Sequence, residues 1–298
     1  MNKIIIGTLL VFLMLSCQKK EAYNYIKNYY QDVYLAEEAY YKKDYKKVVE
    51  IMSTVENKCE LINQSMIYEI EKYAESTAHI GKNEKTFELI RKLILKGYEL
   101  DDFKTNAAFQ NIINTTQWHD VEKEFDLLHT QYLNSINLEL RKKVSEMTRI
   151  DQLYRQRGQY NQQKCDSIDT INEIELKQII ATYGYPDDKV IGGYKIDQKS
   201  VNPMILLFHF DDFDYWTKTL KELIKTGQAP PNSLGNFVDS YQRRVPEEKK
   251  FIYGIYDNSG EEDIIEFDKL DDRRISIGLP PMKLMKSIDS LKRRHYGF

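Results

Sequence analysis

Glycine and proline are scarce in this chain, with 13 and 7 copies among 298 residues. Sandwiches and barrels of many short strands need these residues at their turns, so the scarcity argues against such folds. It favours helices, and the sequence therefore predicts a mainly α-helical protein. The length is sufficient for one large domain or two ordinary ones.

Cysteine is also scarce, with three copies at Cys17, Cys59 and Cys165. No Cys-x-x-Cys or His-Glu-x-x-His spacing is present, so the sequence offers no zinc motif, and we expect no metal and no other cofactor. Cys59 and Cys165 lie far apart in the sequence. Two buried, unpaired thiols are therefore favoured over a disulfide, although an oxidising compartment would permit one.

The chain has no excess of positive charge, because 43 Lys and Arg face 46 Asp and Glu, which leaves a net charge of −3. A domain that binds nucleic acid carries a basic patch or stripe, so no nucleic acid partner is expected. The Gly-x-Ser-x-Gly, phosphate-loop and dinucleotide-binding motifs are missing as well. Sequence motifs therefore identify no enzyme class.

The N-terminus carries the most informative pattern in the chain. An apolar run follows one lysine and ends at Ser16 and Cys17, and a charged segment at 18–21 comes next. The run is shorter than the ~20 residues that a membrane-spanning helix needs, whereas a short apolar run behind a basic start is typical of a secretory signal. The pattern resembles a lipoprotein signal of the Bacteroidetes type, which implies that Cys17 becomes an acylated N-terminus.

This resemblance predicts a signal peptide at residues 1–16 and a lipidated tether at residues 17–21. Acyl chains on Cys17 would hold the protein on the outer membrane of a bacterial envelope, at its periplasmic or its surface face. An ordinary signal peptide with an incidental cysteine and an uncleaved anchor are the two alternatives.

Residues 22–144 are predicted to form a short helical-repeat domain. Small residues on one helix, a short polar turn and an aromatic residue at the start of the next helix occur at 36–49 and again at 73–87. The pattern resembles tetratricopeptide-type repeats, in which small residues let paired helices pack closely. Tyr40, Tyr45 and Tyr73 form the candidate protein-binding surface, because such repeats bind partners on a concave helical face.

The end of this domain is marked by a tryptophan and a long charged segment. Trp118 is expected to close the helical stack, and a ligand-stacking platform is the alternative. Residues 121–157 are predicted as one long helix, with a domain boundary near 140–148. Residues 145–298 then form a second, mostly helical domain.

The second half carries several short motifs in a fixed order. They are Asp151-Gln152-x-x-Arg155, Tyr183-Gly184-x-Pro186, His209, Tyr253-Gly254 and Arg273-Arg274-x-x-x-Gly278-Leu279. Together they resemble a bacterial family of unknown function catalogued as DUF6624, over residues 145–285. The resemblance implies a domain of this type and no particular reaction.

One β-hairpin is predicted in the second domain. An aromatic and apolar segment at 251–256 is followed by turn residues and by a second apolar segment at 264–267. Two such segments around a polar turn are typical of a hairpin. Because an isolated hairpin is only marginally stable, we expect it to lie on the helices.

Polar residues around His209 form the candidate site. Asp211 lies two residues after His209 and could orient it as a base, or could bind a divalent cation with it. A buried His209 with a structural role is the favoured alternative, because five apolar residues precede it. The full set of candidate polar residues is Asp151, Gln152, Arg155, His209, Asp211, Arg243, Tyr253 and Arg274.

The charged members of this set allow two interpretations. Asp151 and Arg155 are spaced for an ion pair on one helix face, or they line a pocket with His209. Arg243 and Arg274, each beside a second arginine, could clamp an anion, with salt bridges to nearby acids as the favoured alternative.

The favoured function is that of a lipid-anchored binding or scaffolding protein, whose N-terminal helices hold a protein partner. The alternative is an envelope hydrolase that uses His209 with Asp151 or Asp211 and an arginine anion clamp. A hydrolase needs these side chains to meet at one open pocket, whereas a scaffold needs an accessible tyrosine surface.

The lipid anchor is tested by replacing Cys17 with alanine. The variant should incorporate no palmitate and should leave the membrane fraction, because acyl chains and not a spanning helix are expected to hold the protein there. Metabolic labelling with palmitate, followed by fractionation, measures both effects. Equal labelling of the wild type and the variant would contradict the lipoprotein prediction.

Overall fold

The computed structural model describes residues 23–65, 67–245, 250–256 and 260–297. Within these ranges the protein is built from α-helices and short 3₁₀ turns, which confirms the predicted mainly α class. The predicted signal peptide, Cys17 and the tether lie outside the described residues, so the prediction of a lipid anchor stays a prediction.

The first half of the chain is a series of short helices followed by two long ones. In chain order they are α1 (Tyr25–Asn28), α2 (Tyr30–Tyr41), α3 (Tyr45–Lys58), α4 (Glu69–His79), α5 (Asn83–Ile94), α6 (Leu100–Thr105), α7 (Thr116–Ser135) and α8 (Leu138–Leu153). The second half contains α9 (Gln162–Tyr183), α10 (Asp188–Ile191), α11 (Met204–Leu207), α12 (Phe213–Lys225), α13 (Pro231–Arg244), α14 (Leu270–Ser276) and α15 (Met282–Tyr296).

Two helical hairpins form where the sequence predicts paired helices. A three-residue turn joins α2 to α3, and the Asp44 carboxylate in it caps α3 by accepting from the Lys47 amide at 3.1 Å. A second three-residue turn joins α4 to α5, where the Thr86 hydroxyl donates to the buried Thr77 hydroxyl at 2.9 Å. Short connections of this kind place consecutive helices side by side. The paired arrangement fits the predicted repeats, whose tetratricopeptide type stays a prediction.

The long helix predicted at 121–157 is wrong, because the chain contains two helices there. Helix α7 ends at Ser135, and Asn137 begins α8 by accepting from the Leu140 amide at 2.9 Å. Asparagine is a favoured N-cap residue, and its extended backbone interrupts the helix. The predicted boundary near 140–148 falls inside α8, which passes through it without a break.

Extensive contacts join the two halves of the chain. Helix α15 packs against α2, where the Lys292 ammonium pairs with the buried Glu37 carboxylate at 2.9 Å. The fully buried Tyr30 of α2 donates its hydroxyl to the Ile224 carbonyl of α12 at 3.0 Å. One hydrophobic core includes residues from both halves. These contacts therefore do not favour the predicted division of the chain into two domains.

The predicted β-hairpin is wrong for the described residues, which contain a single parallel bridge between Phe251 and Ile264. The reason is a side chain of helix α13. The Asp239 carboxylate accepts the amides of Ile252, Tyr253 and Ile255, each at 2.9 Å. A backbone amide that donates to a side chain cannot donate to a neighbouring strand, so the segment becomes an anchored loop.

Several single residues have the environments that the sequence suggests. Trp118 is buried, as expected for a residue that closes the stack, and this burial excludes the ligand-stacking platform. Cys59 and Cys165 are both buried free thiols. Helix α9 ends at Tyr183, where Gly184 supplies a positive φ of 81°. No helix in the described part of the chain is both long and apolar enough to cross a membrane.

A buried arginine between the two halves provides a test of the fold. The Arg141 side chain of α8 is almost fully buried and donates to the Gly192 carbonyl at 2.5 Å, the Lys199 carbonyl at 2.7 Å and the Asp197 carboxylate at 2.6 Å. Replacement by leucine should destabilise the protein by about 3 kcal/mol, because it leaves these acceptors unpaired. Chemical denaturation measures this loss. The exposed Arg149 on the same helix is the matched control, and an equal effect of Arg149→Leu would contradict the assignment.

Candidate functional site

Four segments of the chain bring the main candidate residues together. Asp151 lies in the last turn of α8, and Arg155 follows in the turn after that helix. Asp169 comes from α9. His209 lies in the turn between α11 and α12, and Arg244 is the last residue of α13. The enzyme hypothesis requires His209 to meet Asp151 or Asp211, and Arg243, at one pocket, whereas Asp169 and Arg244 are additions from the structure.

An arginine holds two carboxylates at the centre of the site. The Arg155 guanidinium donates to the Asp151 carboxylate at 3.2 Å and to both oxygens of the Asp169 carboxylate at 2.5 and 2.6 Å. It also donates to the Asp151 backbone carbonyl at 2.5 Å. Gln152 donates its amide to the other Asp151 oxygen at 2.6 Å. The predicted Asp151–Arg155 pair is therefore present, and Asp169 extends it to α9.

His209 separates the buried Asp151 from an open pocket. The His209 Nε2 atom lies 3.7 Å from Asp151 Oδ2, and the Asp151 side chain is fully buried. One quarter of the His209 side chain is exposed, and it lines the pocket. The predicted placement of His209 within a helix is wrong, because α11 ends at Leu207 and leaves His209 in the turn, although most of its side chain is buried as expected.

Hydrogen bonds from α13 and α9 fix the position of the turn that carries His209. Arg244 donates to the His209 carbonyl at 3.2 Å and to the Asp211 carboxylate at 2.6 Å. Glu173 of α9 accepts from the Asp212 amide at 3.1 Å and from the Trp216 indole at 2.8 Å. The turn therefore has a fixed position relative to α9, as a preorganised site requires.

The pocket in front of His209 has a volume of about 510 Å³. We call it the His209 pocket. Its charged lining consists of Arg155, Arg244, Asp166, Asp169, Glu173 and Asp211. The four carboxylates outnumber the two guanidinium groups. Each guanidinium already binds a carboxylate, so the predicted arginine anion clamp has no free cation in this pocket.

Burial shifts the pKa values of the two central groups in opposite directions. Removal from water raises the pKa of Asp151 from 3.8 to about 6, against the opposing charge of Arg155. Burial, with the nearby charges of Arg155 and Arg244, lowers the pKa of His209 from 6.5 to about 4. At neutral pH the imidazole is therefore neutral, and the pKa of Asp151 lies close to the working range of an acid–base group.

The remaining candidate residues lie elsewhere. The Arg274 guanidinium is buried and donates to the Tyr253 carbonyl and the Pro280 carbonyl, each at 2.7 Å. Tyr253 belongs to the loop that Asp239 anchors. Arg243 lies over the Tyr256 ring, 5.2 Å from its centroid. These residues hold the 251–256 loop in place, so the structure does not bring them to the His209 pocket.

The candidate tyrosine surface is only partly accessible. Tyr73 is buried, with 2% of its surface exposed, and so it cannot contact a partner. Tyr45 stacks on the His79 ring at 4.1 Å between centroids. The half-buried Tyr40 donates its hydroxyl to the Glu75 carboxylate. Packing within the helices thus occupies much of this surface.

Sequence reasoning missed two residues of the site, Asp169 and Glu173, and considered Arg244 only as the neighbour of Arg243 in an anion clamp. A signal for the two missed residues was present, because Asp166, Asp169 and Glu173 are spaced by three and four residues and therefore share one face of α9. Arg244 and Arg243 are adjacent arginines at the end of α13, and the packing of that helix decides which of them reaches the pocket. The described residues contain no group of three or more side chains placed to hold a metal ion.

The raised pKa of Asp151 predicts how its replacement affects stability. Because the folded protein favours the protonated carboxyl, this group stabilises the fold below pH ~4, and that contribution is lost as the pH rises through about 6. At pH 8, Asp151→Asn should therefore stabilise the protein, by up to about 3 kcal/mol. At pH 4 the gain should vanish.

Thermal melts at pH 4 and pH 8 measure this difference. Asp211→Asn is the matched control, because Asp211 also pairs with an arginine of the pocket but is mostly exposed, and its melts should change little. A variant Asp151→Asn that melts below the wild type at pH 8 would show that Asp151 is chiefly a structural partner of Arg155.

Comparison with known proteins identifies no relative of this chain. No protein-family model matches the chain, and neither the curated proteins nor the solved structures contain a match to it. The resemblances to DUF6624 and to tetratricopeptide repeats therefore stay predictions.

Proposed function

We propose that the His209 pocket is the acid–base site of a hydrolase. The observation that carries the proposal is the position of His209, between a fully buried carboxyl group and an open pocket. A base of this kind needs access to the pocket and a nearby partner that balances the charge the ring gains. Asp151 supplies that partner, and Arg155 fixes its position.

In the proposed reaction a water molecule in the pocket attacks the substrate. His209 accepts a proton from this water as the new bond to oxygen forms, and the negative Asp151 balances the resulting imidazolium. When the bond to the leaving group breaks, His209 returns the proton to that group. Each turnover thus consumes one water molecule and leaves both side chains in their starting protonation states.

The charge of the lining limits the substrate. Four carboxylates and two paired guanidinium groups make the pocket acidic, which disfavours phosphorylated or other anionic molecules. We therefore propose a neutral or cationic substrate. This replaces the anion clamp that the sequence suggested, because neither arginine of the pocket is free.

The scaffolding function is the second candidate. It relied on an accessible tyrosine surface, and the burial of Tyr73 and the stacking of Tyr45 on His79 weaken that basis. The lipid anchor is independent of this choice. We propose that acyl chains on Cys17 hold the hydrolase at the outer membrane.

A panel of chromogenic substrates tests the hydrolase. The panel contains p-nitrophenyl acetate, p-nitrophenyl β-glucoside, cationic alanine p-nitroanilide and anionic p-nitrophenyl phosphate. We expect turnover of at least one of the first three and none of the phosphate. His209→Gln should lower kcat/KM about 100-fold or more, since a general base contributes at least that much. The rate should rise with pH through about 6, as Asp151 ionises.

Two controls separate chemistry from folding. His119→Gln replaces an exposed histidine of α7, and this variant should keep the wild-type rate. His209→Gln should melt close to the wild-type temperature, because its ring makes no hydrogen bond among the described residues. If the wild type hydrolyses no substrate faster than His209→Gln does, the hydrolase proposal fails.

A further inference from the structure

A second cavity lies between the two halves of the chain, away from the His209 pocket. It has a volume of about 410 Å³, within the range of small-molecule sites. The connection between α3 and α4 and the residues after α5 form one wall. The loops after α9 and α10 and the start of α13 form the other. Its aromatic lining consists of Tyr68, Tyr98, Tyr132, Tyr185 and Tyr194. We call it the tyrosine cavity.

Two buried polar groups beside this cavity have no hydrogen-bond partner within the described protein. They are the Tyr185 hydroxyl and the Gln64 side-chain oxygen, on residues of which 3% and 9% of the surface is exposed. Buried polar groups in folded proteins are almost always paired. Both residues line the cavity, so a bound molecule can supply the missing partners.

These two groups define what the bound molecule must offer. The Gln64 oxygen only accepts, so the molecule needs a hydrogen-bond donor. Burial raises the pKa of Tyr185, which keeps its hydroxyl protonated and able both to donate and to accept. A hydroxyl group on the ligand satisfies either partner.

The charges of the lining cancel. Asp187 and Asp188 contribute two carboxylates, and Lys96 and Lys189 contribute two ammonium groups. Burial raises the pKa of Asp187 to about 6 and lowers the pKa of Lys96, so removal from water disfavours the charged form of both groups. A balanced lining gives no advantage to an anion or a cation and favours a neutral ligand.

The tyrosine rings narrow the ligand class further. Tyr68 and Tyr194 are 42% and 54% exposed, and the Lys72 ammonium lies over the Tyr68 ring at 6.0 Å from its centroid. The Tyr132 hydroxyl accepts from the Gly193 amide at 3.2 Å, and the Tyr98 hydroxyl donates to Glu71 at 3.0 Å. Flat rings with polar edges pack against a molecule that has an apolar face and hydroxyl groups around it.

We infer that the tyrosine cavity is a binding site for a neutral saccharide of one or two sugar rings. The ligand stacks on the tyrosine rings, and its hydroxyl groups pair with Tyr185 and Gln64. The site is independent of the hydrolase proposal, because it shares no lining residue with the His209 pocket.

Binding is measured by isothermal titration with glucose, galactose, maltose and cellobiose, using spermidine and citrate as charged comparison ligands. We expect at least one sugar to bind with a Kd in the millimolar range or tighter, and neither charged molecule to bind. Binding of spermidine or citrate in place of the sugars, or no binding of any sugar, would overturn the inference.

The decisive variant is Tyr185→Phe, which removes an unpaired hydroxyl and keeps the ring. It should weaken sugar binding at least tenfold, while the melting temperature of the free protein stays the same or rises. Tyr183→Phe is the matched control, since Tyr183 is half exposed, lies two residues away and does not line the cavity. Asp151→Asn should also bind sugar as the wild type does. Unchanged binding by Tyr185→Phe, or a clear loss of stability, would show that this hydroxyl serves the fold.

Discussion

The interaction on which the site depends is the pairing of Arg155 with Asp151 and Asp169. It joins the end of α8 to α9, and it gives both carboxylates a fixed cation. Removing three charges from water is costly, and only good geometry with further hydrogen bonds offsets that cost. Gln152 and the Asp151 carbonyl provide those bonds. The result is a carboxyl group held 3.7 Å from His209, and the proposed chemistry follows from that distance.

Buried charged side chains also organise the rest of the second half. Its loops contain no strand pairs beyond one bridge in the described residues, so their backbone groups need other partners. Arg141 supplies donors to the carbonyls of Gly192 and Lys199, and Asp239 and Arg274 serve the loop at 251–256. This explains why so many charged residues of the predicted motifs are structural. Of the charged residues in these motifs, Arg155 is the one that lines the His209 pocket.

The parts of the fold that could be predicted rest on local chemistry. Asp44 and Gly184 begin and end helices by capping and by positive φ, and the Asp151–Arg155 pair follows from helical spacing. The failures depend on partners that are distant in sequence. Asp239 takes the amides of a segment whose pattern indicates a hairpin, 13 to 16 residues away. The sequence at 251–256 gives no indication that Asp239 will accept its backbone amides.

The candidate site shows the same division. The sequence indicates both His209 and Asp151 as candidate residues. Their proximity arises from the packing of α11 on α8 and α9, which the spacing of residues in the sequence does not predict. A sequence likewise does not show whether a tyrosine is exposed. The predicted protein-binding surface therefore includes Tyr73, although this residue is buried. Packing against distant elements decides which polar residues meet, and a single sequence does not record it.

The claim that Asp151 and His209 form one coupled site is tested most directly by an NMR titration. The His209 Cε1 proton is followed from pH 3 to pH 8 in the wild type and in Asp151→Asn. We predict an imidazole pKa near 4 and, in the wild type alone, a second inflection near pH 6 as Asp151 ionises beside the ring. A single inflection near the ordinary histidine value of 6.5, unchanged by Asp151→Asn, would contradict the coupled site.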